Sequence, residues 1–204
     1  MFPALSPNAR FAAALVALVA LASVVARYIY DQSQTVEPPI DTVWSLARFF
    51  TLLTNTLVVM TFSTAAFRRN GIRPAWIAAL TLSMVLVGSV YHLLLSGLVT
   101  FTGLGMWADN GLHTAVPIAC LLWWIVYAPK RLLSFRDLPM FILWPAVYVA
   151  YALARGAQDD TYPYPFMDLT VLPSSAVALN LAGLTGVLLL GGFLFVLIGR
   201  FADR

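Results

Sequence analysis

Six long apolar runs alternate with short polar breaks along the chain, at roughly 11–26, 43–67, 74–99, 108–128, 139–154 and 175–199. A helix rises about 1.5 Å per residue, so about 20 apolar residues cross the hydrocarbon core of a bilayer. Helices are the one open-chain form that satisfies its own backbone in lipid. The pattern therefore predicts six transmembrane helices. Each break has a local cause. Glu37-Pro38-Pro39 closes the first, because consecutive prolines cannot sit inside a helix. Arg68-Arg69-Asn70-Gly71 ahead of Pro74 makes a tight turn in the second. Pro129-Lys130-Arg131 and Pro139 bracket the fourth break, and Tyr162-Pro163-Tyr164-Pro165 sits in the fifth. No linker, low-complexity tract or internal repeat is visible. The expectation is one all-α domain over 1–204, a six-transmembrane-helix bundle.

Composition agrees. The chain is 61% hydrophobic and 10% charged, where a soluble domain carries about 45–50% and about 25%. Its net charge of +3 is not gathered into a basic tail or an aromatic-interleaved patch, so nucleic acid is not an expected partner. Cys120 is the one cysteine, which excludes an internal disulfide.

Charge then orients the helices. With the N-terminus inside, Arg10, Arg68, Arg69, Arg73, Lys130, Arg131, Arg136, Arg200 and Arg204 share the cytoplasmic side. Arg27 and Arg155 fall outside, with Arg48 near the start of the second span. Asp31, Glu37, Asp41, Asp159, Asp160 and Asp168 lie in the outer loops, and Asp109 opens the fourth span from that side. The reading is a plasma-membrane protein, of a bacterial inner membrane, with both termini cytoplasmic. Arg10 followed by an apolar run also has the look of a signal peptide, but Val24-Val25-Ala26 before Arg27 makes a poor cleavage site. The run is expected to remain as a span.

Polar groups inside a membrane are costly and usually functional, and here they gather near the outer ends. Arg48, Thr51 and Asn55 follow i, i+3, i+7 spacing and would share one face of the second span. Tyr91 and His92 end the third span, and Asp109, Asn110, His113 and Thr114 open the fourth, with Asn110, His113 and Thr114 on one face. Tyr148 and Tyr151 approach the end of the fifth, and Asn180 lies just inside the sixth. Counted from the outer boundaries at about 1.5 Å per residue, Thr51 lies ~12 Å deep, His92 ~10 Å, and His113 and Asn180 ~7 Å. A shallow cavity open to the outer leaflet would collect them. Plainer roles compete: a membrane threonine commonly bonds its own i−4 carbonyl, Arg48 can snorkel to the headgroups, and Pro117 and Pro145 can kink their helices. Gly183, Gly186, Gly191 and Gly192 would permit close packing of the last span.

Two chemistries suit the layer. Thr51 could act as a nucleophile with His113 as its base, because a hydroxyl needs an adjacent base to become reactive. Asp109, one turn before His113, would orient the imidazole; Asn55, Asn110, Arg48 or a tyrosine would stabilise an oxyanion. The substrate would be an amphiphile whose ester or amide bond sits at that depth while its tails stay in the bilayer. Alternatively His92 and His113, the two histidines, would ligate a haem from facing helices. A structural or transport role is the third possibility, though no carboxylate lies at mid-membrane for a coupled relay. Two histidines and a distant cysteine form no recognised zinc spacing, and no phosphate loop, dinucleotide fingerprint or serine elbow occurs.

Arg48-Phe49-Phe50-Thr51 and Trp107-x-Asp109-Asn110-Gly111-Leu112-His113-Thr114-x-Val116-Pro117 resemble motifs of a known family. It is that of the androgen-induced membrane proteins and their bacterial relatives, multi-span threonine hydrolases that cleave fatty acid esters of hydroxy fatty acids. Tyr162-x-Tyr164-Pro165-Phe166 is similar to that family's Val-Tyr-Pro-Phe stretch, and the likeness runs over about 46–199. The resemblance implies a catalytic threonine at Thr51, a catalytic histidine at His113, a lipid ester as substrate and no cofactor. Where animal members carry Asn-His-Gly-Met-His, this chain has Asp109-Asn110-Gly111-Leu112-His113, exchanging a histidine for a carboxylate.

Overall fold

A computed structural model describes residues 4–68 and 71–201. Arg69, Asn70 and Arg204, three of the residues used above to place a turn and orient the chain, lie outside the described residues. The fold is all-helical, with no strand among the described residues, and six helices are long and apolar enough to cross a membrane. The protein is thus a polytopic membrane protein. It divides into two compact units, Met1–Pro129 and Lys130–Arg204.

The first unit holds four of the membrane-length helices. Helix α1 (Pro7–Ser33) starts on Ser6, whose hydroxyl accepts from the Ala9 amide, with Pro7 at the first helical position. It runs well past the predicted end at Ala26, because Arg27 pairs with Asp31 one turn on, at 2.9 Å, and lies 4.6 Å over the Phe101 ring. Next comes α2 (Pro39–Leu46), and only after a break at Ala47, Arg48 and Phe49 does α3 (Phe50–Phe67) begin. The predicted second span therefore opens seven residues early. Arg48 stands in the joint rather than on the Thr51–Asn55 helix face, and the depth count for Thr51 fails with it: Thr51 sits in the first turn of α3.

Helix α4 (Pro74–Val90) opens on a proline and ends in a π-turn, Tyr91–Leu95. The fourth span is α5 (Gly103–Asn110), a second π-turn (Gly111–Ala115) and α6 (Val116–Tyr127) in continuous succession. A stripe of small residues on α1, Ala9, Ala13, Ala17 and Ala20, is buried and lets α1 lie close along α3. Polar ties fix the far end: Arg10 Nε donates to the Ala66 carbonyl at 2.8 Å, and Trp123 Nε1 to that of Ala9 at 2.9 Å. Between them Val58, Phe62, Met84, Leu112, Val116 and Trp124 form the core.

In the second unit α7 (Leu138–Asp159) packs on α8 (Ser174–Phe201). A Cβ at Gly192 would come 2.9 Å from the Phe141 ring, so glycine is what admits that ring. No described atom of this unit lies within 4 Å of a Cβ built at Gly183 or Gly186, so the packing role expected of these two is not found there. Arg155, assigned by sequence to an outer loop, lies inside α7, buried, with Nη1 donating to the Tyr151 hydroxyl at 2.9 Å.

Candidate functional site

The site is assembled at one end of the first unit, where α3 starts and α4 finishes. Thr51 occupies the first turn of α3, beside amides that precede any intrahelical acceptor. Its residue is 7% exposed, and its Oγ1 lies 3.3 Å from His113 Nε2, across 62 positions of sequence.

His113 owes its place to the second π-turn. Pro117 has no amide hydrogen, and its ring displaces the carbonyl four residues before it, which is that of His113. The chain relaxes by widening one turn: the Val116 amide reaches back five residues, to the Gly111 carbonyl. Such turns recur at functional sites. A carboxylate holds the other side of the ring. Asp109 Oδ1 is 3.0 Å from His113 Nδ1, and the Asp109 carbonyl is 3.1 Å from the same nitrogen. Both partners are acceptors, so Nδ1 carries the proton and Nε2 presents its lone pair toward Thr51. Tyr91 completes the group. Its hydroxyl donates to Asp109 Oδ2, and its ring stacks on His113 with centroids 4.0 Å apart at 12°.

The remaining expected residues fall out differently. Asn55 is fully buried and spends its amide hydrogens on backbone carbonyls, those of Thr51 at 2.8 Å and Leu112 at 3.4 Å. It has none left for an oxyanion. Asn110 is exposed, because the register through the π-turn sends Asp109 rather than Asn110 inward, and it does not share the face of His113. His92 Nε2 lies 2.9 Å from Thr114 Oγ1, a second cross-link between the two π-turns. Asn180 belongs to the second unit, where its Nδ2 donates to the Phe166 carbonyl at 2.8 Å and ties the Pro165–Met167 turn to α8.

The haem arrangement does not fit these side chains. Both ring nitrogens of His113 have polypeptide partners, and the ring of Tyr91 packs against each imidazole, face-on to His113 and edge-on to His92. Among the described residues no cluster of three or more His, Cys, Asp or Glu side chains is placed to hold a metal ion.

Sequence reasoning missed the mounting of the π-turn. Gly111 lies against Ser23 of α1, and a Cβ at Gly88 of α4 would come 3.1 Å from the His113 carbonyl and 3.4 Å from Pro117. The available signal was Pro117 itself, four residues after His113 and five after Leu112. A small cluster of Leu46, Leu52 and Leu112, joined by Val24, Tyr28 and Phe49, fills the space beneath.

No protein-family model, curated protein or solved structure matches this chain.

Proposed function

We propose that the protein is an intramembrane hydrolase of lipid esters, with Thr51 as nucleophile and His113 as general base. One observation carries the reading: the hydrogen-bonded series Thr51 Oγ1, His113 Nε2, His113 Nδ1, Asp109. Nucleophile, base and orienting carboxylate stand in the order that acyl transfer requires. Thr56 and Thr64, further along the same helix, bond their own i−4 carbonyls; Thr51, in the first turn, has no helical residue four positions before it. Thr51 turns to an imidazole instead.

In this reading Thr51 Oγ1 bonds to the ester carbonyl carbon while its proton passes to His113 Nε2. The tetrahedral intermediate collapses, the alkoxy oxygen takes that proton and leaves as the alcohol, and the acyl group stays on Thr51. Water, deprotonated by Nε2, then releases the fatty acid and restores the hydroxyl. Negative charge on the carbonyl oxygen develops at the N-terminus of α3, where the Thr51 and Leu52 amides and the helix dipole favour it. This takes over the part that Asn55 cannot play. Leu93 and Leu94, exposed beside Tyr91 and His92, would lie along the tails of a bilayer-resident substrate.

The motifs that resemble those of the androgen-induced family support the same pair and the same substrate class, fatty acid esters of hydroxy fatty acids or other acylated lipids. The distribution of arginine and lysine supports cytoplasmic termini in a plasma membrane, which sets the site beneath the outer headgroups. The test is a screen of branched fatty acid esters against purified wild type and Thr51→Ala in detergent. Release of fatty acid by wild type alone is expected; equal release by both variants, or none by wild type across the screen, would refute the assignment.

A further inference from the structure

We infer that Asn55 is a positioning residue: it supplies the hydrogen bond that Pro117 withholds and so holds the His113 turn at reach of Thr51. The inference rests on the hydrolase reading for its kinetic consequence, but its geometric content stands on backbone chemistry. In an α-helix the Leu112 carbonyl would accept from the Val116 amide. Here that amide goes to Gly111, and the residue five positions after Leu112 is Pro117, which has no amide to give. Leu112 is fully buried, so its carbonyl needs a donor from elsewhere in the protein. Asn55 Nδ2 provides it at 3.4 Å, from a side chain that is itself 0% exposed and that also donates to the Thr51 carbonyl at 2.8 Å.

One carboxamide therefore bonds the backbone of the candidate nucleophile and the backbone next to the candidate base. The neighbouring freed carbonyl, that of His113, is displaced toward Gly88, where a side chain would intrude. Ser23 packs on Gly111 from a third helix. Three successive residues of the turn are thus held by α1, α3 and α4, and Asn55 makes the one directed bond among those three contacts.

The experiment pairs removal of the donor with its retention. Asn55→Leu keeps the approximate volume and removes the donor; Asn55→Gln keeps a carboxamide able to donate, and Pro117, on which the turn depends, is left in place. A displacement on the order of 1 Å at a reacting pair costs about 100-fold. Asn55→Leu is accordingly expected to lower kcat for lipid-ester hydrolysis at least about tenfold, with KM changed less than about twofold. Asn55→Gln should retain a large part of the wild-type rate. Ring 15N NMR of His113 in detergent, assigned by difference with His113→Gln, gives a readout independent of turnover. A fixed Nδ1–H form is expected in wild type, averaging in Asn55→Leu, and the fixed form again in Asn55→Gln. Where Asn55→Leu does not fold, Asn55→Ala takes its place: averaging there beside a fixed form in Asn55→Gln supports the inference, and a fixed form in Asn55→Ala overturns it. An Asn55→Leu protein with unchanged kcat and unchanged His113 signals overturns it as well. Wild type without hydrolysis, but with the expected NMR changes, would refute the hydrolase reading and leave the positioning role standing.

Discussion

Tyr91 reaches its neighbours in two ways at once: its ring lies flat on His113 at 4.0 Å, and its hydroxyl donates to Asp109, the residue that holds the far side of the same imidazole. The stack limits rotation of the ring, and the hydrogen bond fixes the carboxylate that sets its tautomer. These contributions separate by mutation. Tyr91→Phe keeps the stack and loses one hydrogen bond, with about 0.5–1.5 kcal/mol at stake. A fall in kcat of roughly 3- to 10-fold is expected. Tyr91→Leu removes both and should fall further. Steady-state kinetics on the two variants would show the difference, and equal losses would assign the whole effect to the hydroxyl's hydrogen bond to Asp109.

Asp109→Asn tests the carboxylate. An amide in its place presents a donor as readily as an acceptor, so Nδ1 is no longer obliged to carry the proton and Nε2 is no longer kept free for Thr51. In hydrolases with this constellation such a change costs on the order of 10⁴ in kcat while the geometry survives. A loss of about 10²–10⁴ is expected here, with a thermal midpoint in detergent close to wild type. A variant that retains full kcat would show that Asp109 has only a packing role.

Much of this arrangement was legible in the sequence. Hydropathy and loop charge supplied six helices, and residue type with helical spacing pointed to Thr51, His113 and Asp109, whose side chains meet. Boundaries were less legible, because apolar residues continue through breaks that backbone chemistry imposes. Val43 to Leu46 reads as the opening of a span but belongs to a separate short helix, which moved Arg48 off the Thr51 face. At the other end of α1, polar Arg27 and Asp31 look like a loop until their i, i+4 pairing is seen. Asn55 and Asn110 were misassigned for a related reason. Spacing says which side of a helix a residue occupies, but not that a neighbouring π-turn will claim its amide or shift the register.

Glycine substitutions probe the mounting of that turn. Gly88→Val would push a branched side chain against the His113 carbonyl and Pro117, at positions where a Cβ already comes within 3.1 and 3.4 Å. Overpacking of this kind costs about 1–3 kcal/mol, so a lower thermal midpoint and a lower kcat are both expected. Gly183→Ala in α8 meets no described atom of its own unit within 4 Å. It should raise helix stability by about 0.5–1 kcal/mol and leave turnover unaltered. Thermal melting in one detergent, with hydrolysis measured alongside, compares the two; a Gly88→Val protein as stable and active as wild type would remove the close contact from consideration.

The nucleophile assignment is reached most directly by trapping the acyl intermediate. Purified protein is mixed with an activated fatty acid ester, quenched in acid, and digested for mass spectrometry of the peptide that contains Thr51. Wild type should carry the acyl mass on Thr51, with a pre-steady-state burst of the alcohol, and both signals should vanish in Thr51→Ala and fall sharply in His113→Ala. Acyl mass on another residue, or turnover by the Thr51→Ala protein at the wild-type rate, would contradict the assignment.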